Sequence, residues 1–378
     1  MKKICLDLQP LLSVKTGIGY YAENLVENLI KREKNNYIGE IYTLLEKNKK
    51  IELKGINYKN HPFLPHFYRK LNFFWKYLPF SINFLIKENF DIYHSFDLRL
   101  PHKIKGKSIM TIHDLIPFLF PDFYINMDKK SVYNYIKSNA ERADIIVTSS
   151  EYSKKEIVKL LNISEEKIKI VPAGIELLRY SKNNSIQEIE NITNKYKLPS
   201  KFILYLGALE PRKNISNIIL GFSKYKEEKV NSDIKLVIAG KKAWKYEKIF
   251  ETYELSKYKK DIIFTDYIDE KDKVILYKMA KLFIFPSLYE GFGMPVLEAM
   301  ASGTPVITSN NSSLPEVVGE AGILVNSNSI IEISEAIGKI LDGEEDYVND
   351  LIFKGKERAK NFTWEKSTKL LEDIYEMM

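Results

Sequence analysis

Cysteine is almost missing from this chain. Its 378 residues include one, Cys5, so no disulfide can close within it, and a reducing cytosol is the expected compartment. Within the apolar run KICLDL, Cys5 reads as a small core residue. Long apolar stretches are missing too: none approaches the ~20 residues of a membrane-spanning helix. The opening MKKICLDLQPLL runs from basic to apolar, but Asp7 interrupts it and no small-residue cleavage site follows, so a first buried strand is expected rather than a leader. There is no Asp-x-Asp pair and no His/Cys cluster, so neither a catalytic metal nor a bound cofactor is expected. Acidic residues vanish between Glu52 and Glu88, where Lys54, Lys59, Arg69, Lys70, Lys76 and Lys87 alternate with aromatics such as Phe67, Phe74, Trp75 and Tyr77. Such a mixture suits the anionic inner face of a membrane; a helix pair with a buried aromatic face fits the residues equally. No nucleic-acid motif accompanies the basic run, so nucleic acid is not an expected partner.

Short β-branched runs alternate with longer amphipathic stretches, the pattern of parallel sheets covered by helices, and the fold class is α/β. Strands are expected near KICLDL, EIYTLL, IYHSF, SIMTIHD, DIIVTSS and KIKIVPAG, with helices such as YYAENLVENLIKR and KKEIVKLLN between them. A polar, Asn- and Lys-rich stretch then breaks the alternation, which restarts with FILYLG, IKLVIAG, DIIFTDYI, KLFIFPS, TPVITSN and GILVN. The expected organisation is a first domain over 1–180, a linker over 181–200, a second domain over 201–360 and a closing helix over 361–378, apolar at Leu370, Leu371, Ile374 and Met377. Ligands of open parallel sheets bind at the carboxyl ends of strands. The chemistry-bearing segments fall there.

The most informative of them is KLFIFPSLYEGFGMPVLEAMASGTPVITS. A strand, a loop holding Gly291 and Gly293, and a helix opening near Pro295 would present free backbone N–H groups to an anion, and a diphosphate fits. Phe292, Met294 and Leu297 belong to the same stretch. Glu290 at the loop mouth and Glu298 one turn into the helix could each accept from paired sugar hydroxyls. EGFGMPVLEAMASGTPVI resembles the Glu-x7-Glu signature of the family 4 (group 1) glycosyltransferases, and LGALEPRKN, DIIVTSS and FTWEKS are similar to further landmarks of that family.

The resemblance implies the GT-B architecture, two facing Rossmann-like domains with a C-terminal helix packing back toward the first. It places Arg212 and Lys213 on the donor diphosphate, a role that suits a planar fork of donors and a compact charge. Many relatives carry an arginine directly after the strand's glycine, where this chain has Ala208, so the expected fork rests on Arg212. In the first domain, Gly17 and Gly19 read as a loop opening a helix. They also spell a variant dinucleotide fingerprint, discounted because QPLLSVKT separates them from the strand. The family closes the equivalent loop over the donor phosphates. His113 and Asp114 resemble a His-Asp pair placed beside the reacting sugar, with His94 a further candidate for the same cleft. Asp266, Tyr267, Ile268, Leu288 and Tyr289 are expected around the base.

The implied activity is a retaining, metal-independent transfer of a sugar from a nucleotide donor to a glycan or lipid-linked saccharide of a surface polysaccharide. His113, Arg212, Lys213 and Glu290 would be the catalytic group. LGALEPRKN and TIHDL look most like members using GDP-mannose; UDP-sugar donors are the alternative within the family. Outside that function stand a nucleotide-sugar epimerase and a non-catalytic binding subunit.

Overall fold

The structure is a computed structural model that describes residues 1–12, 17–42, 53, 55–61, 88–120 and 129–378. Most of the basic aromatic segment, residues 54 and 62–87, lies outside the described residues. The chain divides into two units, Met1–Gly174 together with Trp364–Met378, and Ile175–Thr363.

The first unit holds seven strands: β1 (Lys3–Asp7), β2 (Asn36–Tyr42), β3 (Asn57–His61), β4 (Ile92–Ser95), β5 (Lys107–Thr111), β6 (Ile145–Thr148) and β7 (Ile168–Ile170). They pair in the order β3-β2-β1-β4-β5-β6-β7, and every pairing is parallel. The second unit repeats the scheme with β8 (Phe202–Leu206), β9 (Lys235–Ala239), β10 (Ile262–Phe264), β11 (Leu282–Phe285), β12 (Val306–Ser309) and β13 (Ile323–Val325), in the order β10-β9-β8-β11-β12-β13. Its pairings are parallel too. Helices on both faces leave the central strands dry: all of β8 and β11 is buried, which is why they read as unbroken apolar runs. In each sheet the order reverses once, between β1 and β4 and between β8 and β11. That reversal opens a crevice at the strand ends.

Three expectations change. The stretch expected as a linker, 181–200, contains the helix Ile186–Tyr196 of the second unit, opened by a capping box between Ser185 and Glu188. Its polar composition hides Ile192 and Tyr196, four apart and both buried. The boundary lies at Gly174–Ile175. Strand β3, Asn-Tyr-Lys-Asn-His, was not expected: it is an edge strand with mostly exposed side chains and carries no apolar signature. Of the four apolar residues expected to pack the closing helix Trp364–Met377, Leu371 and Ile374 are buried while Leu370 and Met377 are exposed. Among the described residues, no helix is long and apolar enough to cross a membrane.

The closing helix belongs to the first unit and lies against the helix Gly17–Arg32. Arg32 Nε meets Glu372 Oε2 at 2.8 Å, and Lys2 Nζ donates to the Tyr375 carbonyl at 2.8 Å. At its centre, His94 on β4 is fully buried, with Nδ1 2.7 Å from the Tyr375 hydroxyl and Nε2 3.0 Å from Thr111 Oγ1. His94 therefore holds the helix to the sheet; both ring nitrogens are occupied, so it does not line a cleft.

Burial, with a smaller contribution from the charge of His113, drives the His94 imidazole down to about 3. Above about pH 6.5 the ring is neutral in folded and unfolded chains alike. As the pH falls below that value the unfolded chain takes up a proton that the folded one refuses, so stability is lost by ~1.4 kcal/mol per pH unit. Urea unfolding at pH 7.5, 6 and 5 should show this slope, and His94→Gln should make it shallower. Tyr375→Phe, which strips a partner from a buried ring nitrogen, should cost roughly 1–3 kcal/mol at pH 7.5.

Candidate active site

At the order reversal of the second sheet, the segments after β8 and β11 are stitched together. After Gly207 the chain makes a single 3-10 turn, Pro211–Lys213, with proline at its first position and Asn214 ending it in the left-handed region (φ 60°). Asn214 Nδ2 donates to the carbonyls of Pro286 at 3.0 Å and Ser327 at 2.6 Å. Leu288 N donates to the Arg212 carbonyl at 2.8 Å, and Arg212 Nη1 returns a bond to the Tyr289 carbonyl at 2.7 Å. Arg212 and Lys213 are thereby fixed against the β11 loop.

That loop carries Glu290 to the two cations. Its Oε2 lies 2.9 Å from Arg212 Nη1 and its Oε1 accepts from Lys213 Nζ at 2.6 Å; Glu290 and Lys213 are both buried. Burial works to raise the Glu290 carboxyl, but Arg212 and Lys213 prevail and bring it to about 2. Burial and the Arg212 charge push Lys213 down from its ordinary value, opposed by Glu290 and Glu210. Glu290 is ionised beside a charged Lys213. The Arg212 Nη2 takes a second carboxylate, Glu210 Oε1, at 2.6 Å, and Glu210 Oε2 accepts from Trp244 Nε1 at 2.8 Å.

Beyond Glu290 the loop is shaped by glycine. Gly293 has φ +117° and a Cβ there would stand 2.7 Å from Leu314 Cδ2, so the residue before the helix Met294–Ser302 cannot carry a side chain without displacing Leu314. Ser313 Oγ donates to the Glu290 and Phe292 carbonyls at 2.9 and 2.8 Å, and Ser312 Oγ accepts from Glu290 N at 3.1 Å. Glu298, on the same helix, is buried apart from the cation cluster. Tyr277 donates to its Oε2 at 2.9 Å, and burial raises its carboxyl against the pull of Lys273.

The remaining sequence candidates separate. Gly291 and Phe292 are buried, Met294 and Pro295 partly so. Phe292 packs edge-on against Phe362. Leu297 and Ile268 are buried in the core; their side chains are structural, leaving only backbone groups to offer a ligand. Tyr267 is 47% exposed under Lys241 Nζ, 4.5 Å from its ring centre, beside Asp266 in the left-handed region. In the first unit, Gly17 and Gly19 stand in the first turn of the helix Gly17–Arg32 rather than in a loop before it. Asp114 Oδ1 accepts from Ile116 N at 3.0 Å, a turn-forming bond. His113 Nε2 lies 3.1 Å from the Phe96 carbonyl; a carbonyl only accepts, so Nε2 carries the proton and Nδ1 keeps its lone pair. Burial lowers its pKa below the ordinary histidine value, and the ring is neutral near pH 7. Sequence reasoning missed Glu210, Asn214 and Trp244. Their signal, a Glu-Pro-Arg-Lys-Asn run and a tryptophan amid lysines, acquires meaning only when two loops meet.

Asn214→Ala should cost about 2–3 kcal/mol in urea unfolding, from two lost hydrogen bonds to buried carbonyls and from alanine's poorer tolerance of the left-handed region, which asparagine adopts more readily. Asn214→Gly removes the bonds without the backbone strain and should lose less.

This geometry puts paired cations and a glycine-bordered helix start at the strand ends of a doubly wound sheet. Residues 16–179 match the profile Glycosyltransferase Family 4 and residues 186–358 the profile Glycosyl transferases group 1. The chain is 28% identical to the O-antigen chain mannosyltransferase B of Escherichia coli, over 100% of both. It is 31% identical to the serotype-specific mannosyltransferase WbdA of Escherichia coli over 73% of its own length, while spanning 34% of that protein. The sucrose-phosphate synthase of Thermosynechococcus elongatus superposes with a TM-score of 0.80 at 18% identity, over 100% of this chain and 99% of that one, a likeness of fold. With its two parallel-sheet units and both profiles side by side, the chain belongs to the family 4, group 1 glycosyltransferases of GT-B fold.

Proposed function

We propose that this glycosyltransferase moves mannose from GDP-mannose, with retention of configuration, to a saccharide acceptor in surface polysaccharide biosynthesis. The observation that carries the reading is the placement of Arg212 and Lys213 at the order reversal of the second sheet, against the first glutamate of the Glu-x7-Glu pair. The sugar is taken from the mannosyltransferases among the relatives. In this reading the bond from the anomeric carbon to the diphosphate breaks while the acceptor oxygen bonds on the same face, and the acceptor's proton passes to the departing phosphate oxygen. Charge grows on the diphosphate. Arg212, Lys213 and the N–H groups opening the helix Met294–Ser302 are the fixed donors that stabilise it. Glu298 would hold the ribose and Glu290 the reacting sugar. His113, neutral with a bare Nδ1, would accept from a sugar hydroxyl rather than donate to phosphate.

The test is turnover against a panel of GDP- and UDP-sugars with a mannosyl acceptor, the product anomer read by NMR. Mannosyl transfer with an α product from an α donor is expected. A rearranged donor without transfer would indicate an epimerase, and donor binding without turnover a binding subunit. Arg212→Ala and Lys213→Ala should each lower kcat by about 10²–10³, with a smaller change in donor Kd, because the contacts strengthen as charge builds. Arg212→Lys keeps the charge without the fork and should recover part of the activity. Because the two cations supply the positive charge a divalent ion would bring, turnover should persist in EDTA; loss restored by magnesium or manganese would overturn that assignment.

A further inference from the structure

Arg212 does not stand alone at the end of β8, and what surrounds it reaches into a third loop. Glu210 has two carboxylate oxygens and each has a partner. Oε1 takes the Arg212 guanidinium at 2.6 Å and Oε2 takes the Trp244 indole N–H at 2.8 Å. Trp244 is brought there by the backbone. The segment after β9 is zipped to the segment after β8 through Leu209 N to the Lys241 carbonyl at 2.9 Å and Ala243 N to the Leu209 carbonyl at 3.0 Å. The approach is close enough that a Cβ on Gly240, whose φ is +145°, would lie 1.8 Å from the Gly207 carbonyl oxygen. Nothing in the proposed chemistry requires a carboxylate on the outer side of Arg212. Glu290 already supplies a counter-charge to both cations, and a second carboxylate beside a phosphate-binding arginine would only weaken its hold on an anion unless it served another purpose.

We infer that Glu210 and Trp244 are a positioning pair: the indole fixes the Glu210 carboxylate, which fixes the plane of the Arg212 guanidinium toward the departing diphosphate. The fork of an arginine stabilises a phosphate only when its plane is set, and the long side chain has many other rotamers. Tyr289 and Glu290 hold one arm, Nη1. Glu210 holds the other, Nη2, so the plane of the guanidinium is set from both of its arms. The pair touches no reacting atom and acts through Arg212. This inference rests on the assignment of Arg212 to the donor diphosphate.

The experiment measures kcat and KM for GDP-mannose in the full chain and in Glu210→Gln, Trp244→Phe, Arg212→Ala and the double variant Glu210→Gln/Arg212→Ala. Inorganic pyrophosphate serves as a competitive probe of the phosphate site, and thermal unfolding as a check on folding. Trp244→Phe removes one N–H and keeps an aromatic ring, so it stays informative if Glu210→Gln misfolds. Trp244→Phe and Glu210→Gln should each lower kcat by about 10- to 100-fold, by analogy with the loss of a group that orients a metal ligand, with KM and the pyrophosphate inhibition constant changed less than about threefold. In the Arg212→Ala background, Glu210→Gln should have no further effect, because residues that act as one unit are non-additive. Wild-type kcat in both single variants, with Arg212→Ala still crippled, overturns the positioning role and leaves the assigned function standing. So do equal further losses in the double variant, which mark a role in the stability of the loop alone. If the unmodified chain neither turns over GDP-mannose nor is bound by pyrophosphate, the function reading fails first and this inference goes with it.

Discussion

Glu290 is a single buried carboxylate between two cations, and its position constrains every loop around it. Arg212 and Lys213 are adjacent in the chain and nearly out of solvent, an arrangement that would cost several kcal/mol per ion without a counter-charge. The counter-charge comes from the segment after β11, which is 77 residues further along. It is a neighbour only because β8 and β11 pair across the order reversal of the sheet. Removing Glu290 would take from buried Lys213 the carboxylate it donates to and leave Arg212 with Glu210. The strand order of the second unit and the neutralisation of its buried cations therefore depend on the same contact: in another strand order Lys213 would lack the carboxylate that Glu290 brings to it.

The first unit has the same reversal between β1 and β4 but fills it differently. Asp7, at the end of β1, is buried, and burial raises its carboxyl while Arg99 opposes; Arg99 Nη2 lies 3.6 Å from Asp7 and its Nε 3.4 Å from Asp97. The histidines nearby are held neutral by burial, His94 between Tyr375 and Thr111 and His113 against the Phe96 carbonyl. One arginine is thus shared by two acids here, where the second unit has two cations clustered with two acids. The same topology thus gathers two cations and two acids in one unit, and one arginine, two acids and neutral imidazole in the other.

Much of this was legible in the chain because it rests on local pattern. Eleven of the strands coincide with apolar, β-branched runs; β2 starts at Asn36 and overlaps its expected run EIYTLL only at 40–42, residues 43–45 lying outside the described residues. The Gly-rich turn before Met294 announces a helix start by composition. The failures are equally physical. Strand β3 is polar because an edge strand need bury only one row of contacts. The helix Ile186–Tyr196 was hidden by surface lysines and asparagines, although Ser185 and Glu188 form a recognisable capping box. His94 looked like a cleft residue because a histidine at a strand end has no sequence mark separating ligand from core, and its partner Tyr375 lies 281 residues away. Leu297 belongs to the motif, but its helix is buried from Val296 to Ser302 and its apolar side chain packs in the core. Glu210 and Trp244 are 34 residues apart and meet through a loop contact that no periodicity encodes.

The charges of Glu210, Arg212, Lys213 and Glu290 sum to zero, and this bears on how such a site could turn over. Bare cations would hold a nucleoside diphosphate tightly before and after reaction, and product release would limit the rate. Here each cation already has a carboxylate at 2.6–2.9 Å, so a bound donor gains little net Coulomb energy in the ground state. As the sugar–phosphate bond breaks, negative charge grows on the diphosphate while the carboxylates stay constant. The guanidinium and ammonium, held in place by those carboxylates, then face a growing negative charge, and the gain appears where charge develops. Under the proposed function, the acids that let the cations fold into the interior also reserve their attraction for the transition state, which is the condition for raising kcat rather than merely lowering KM.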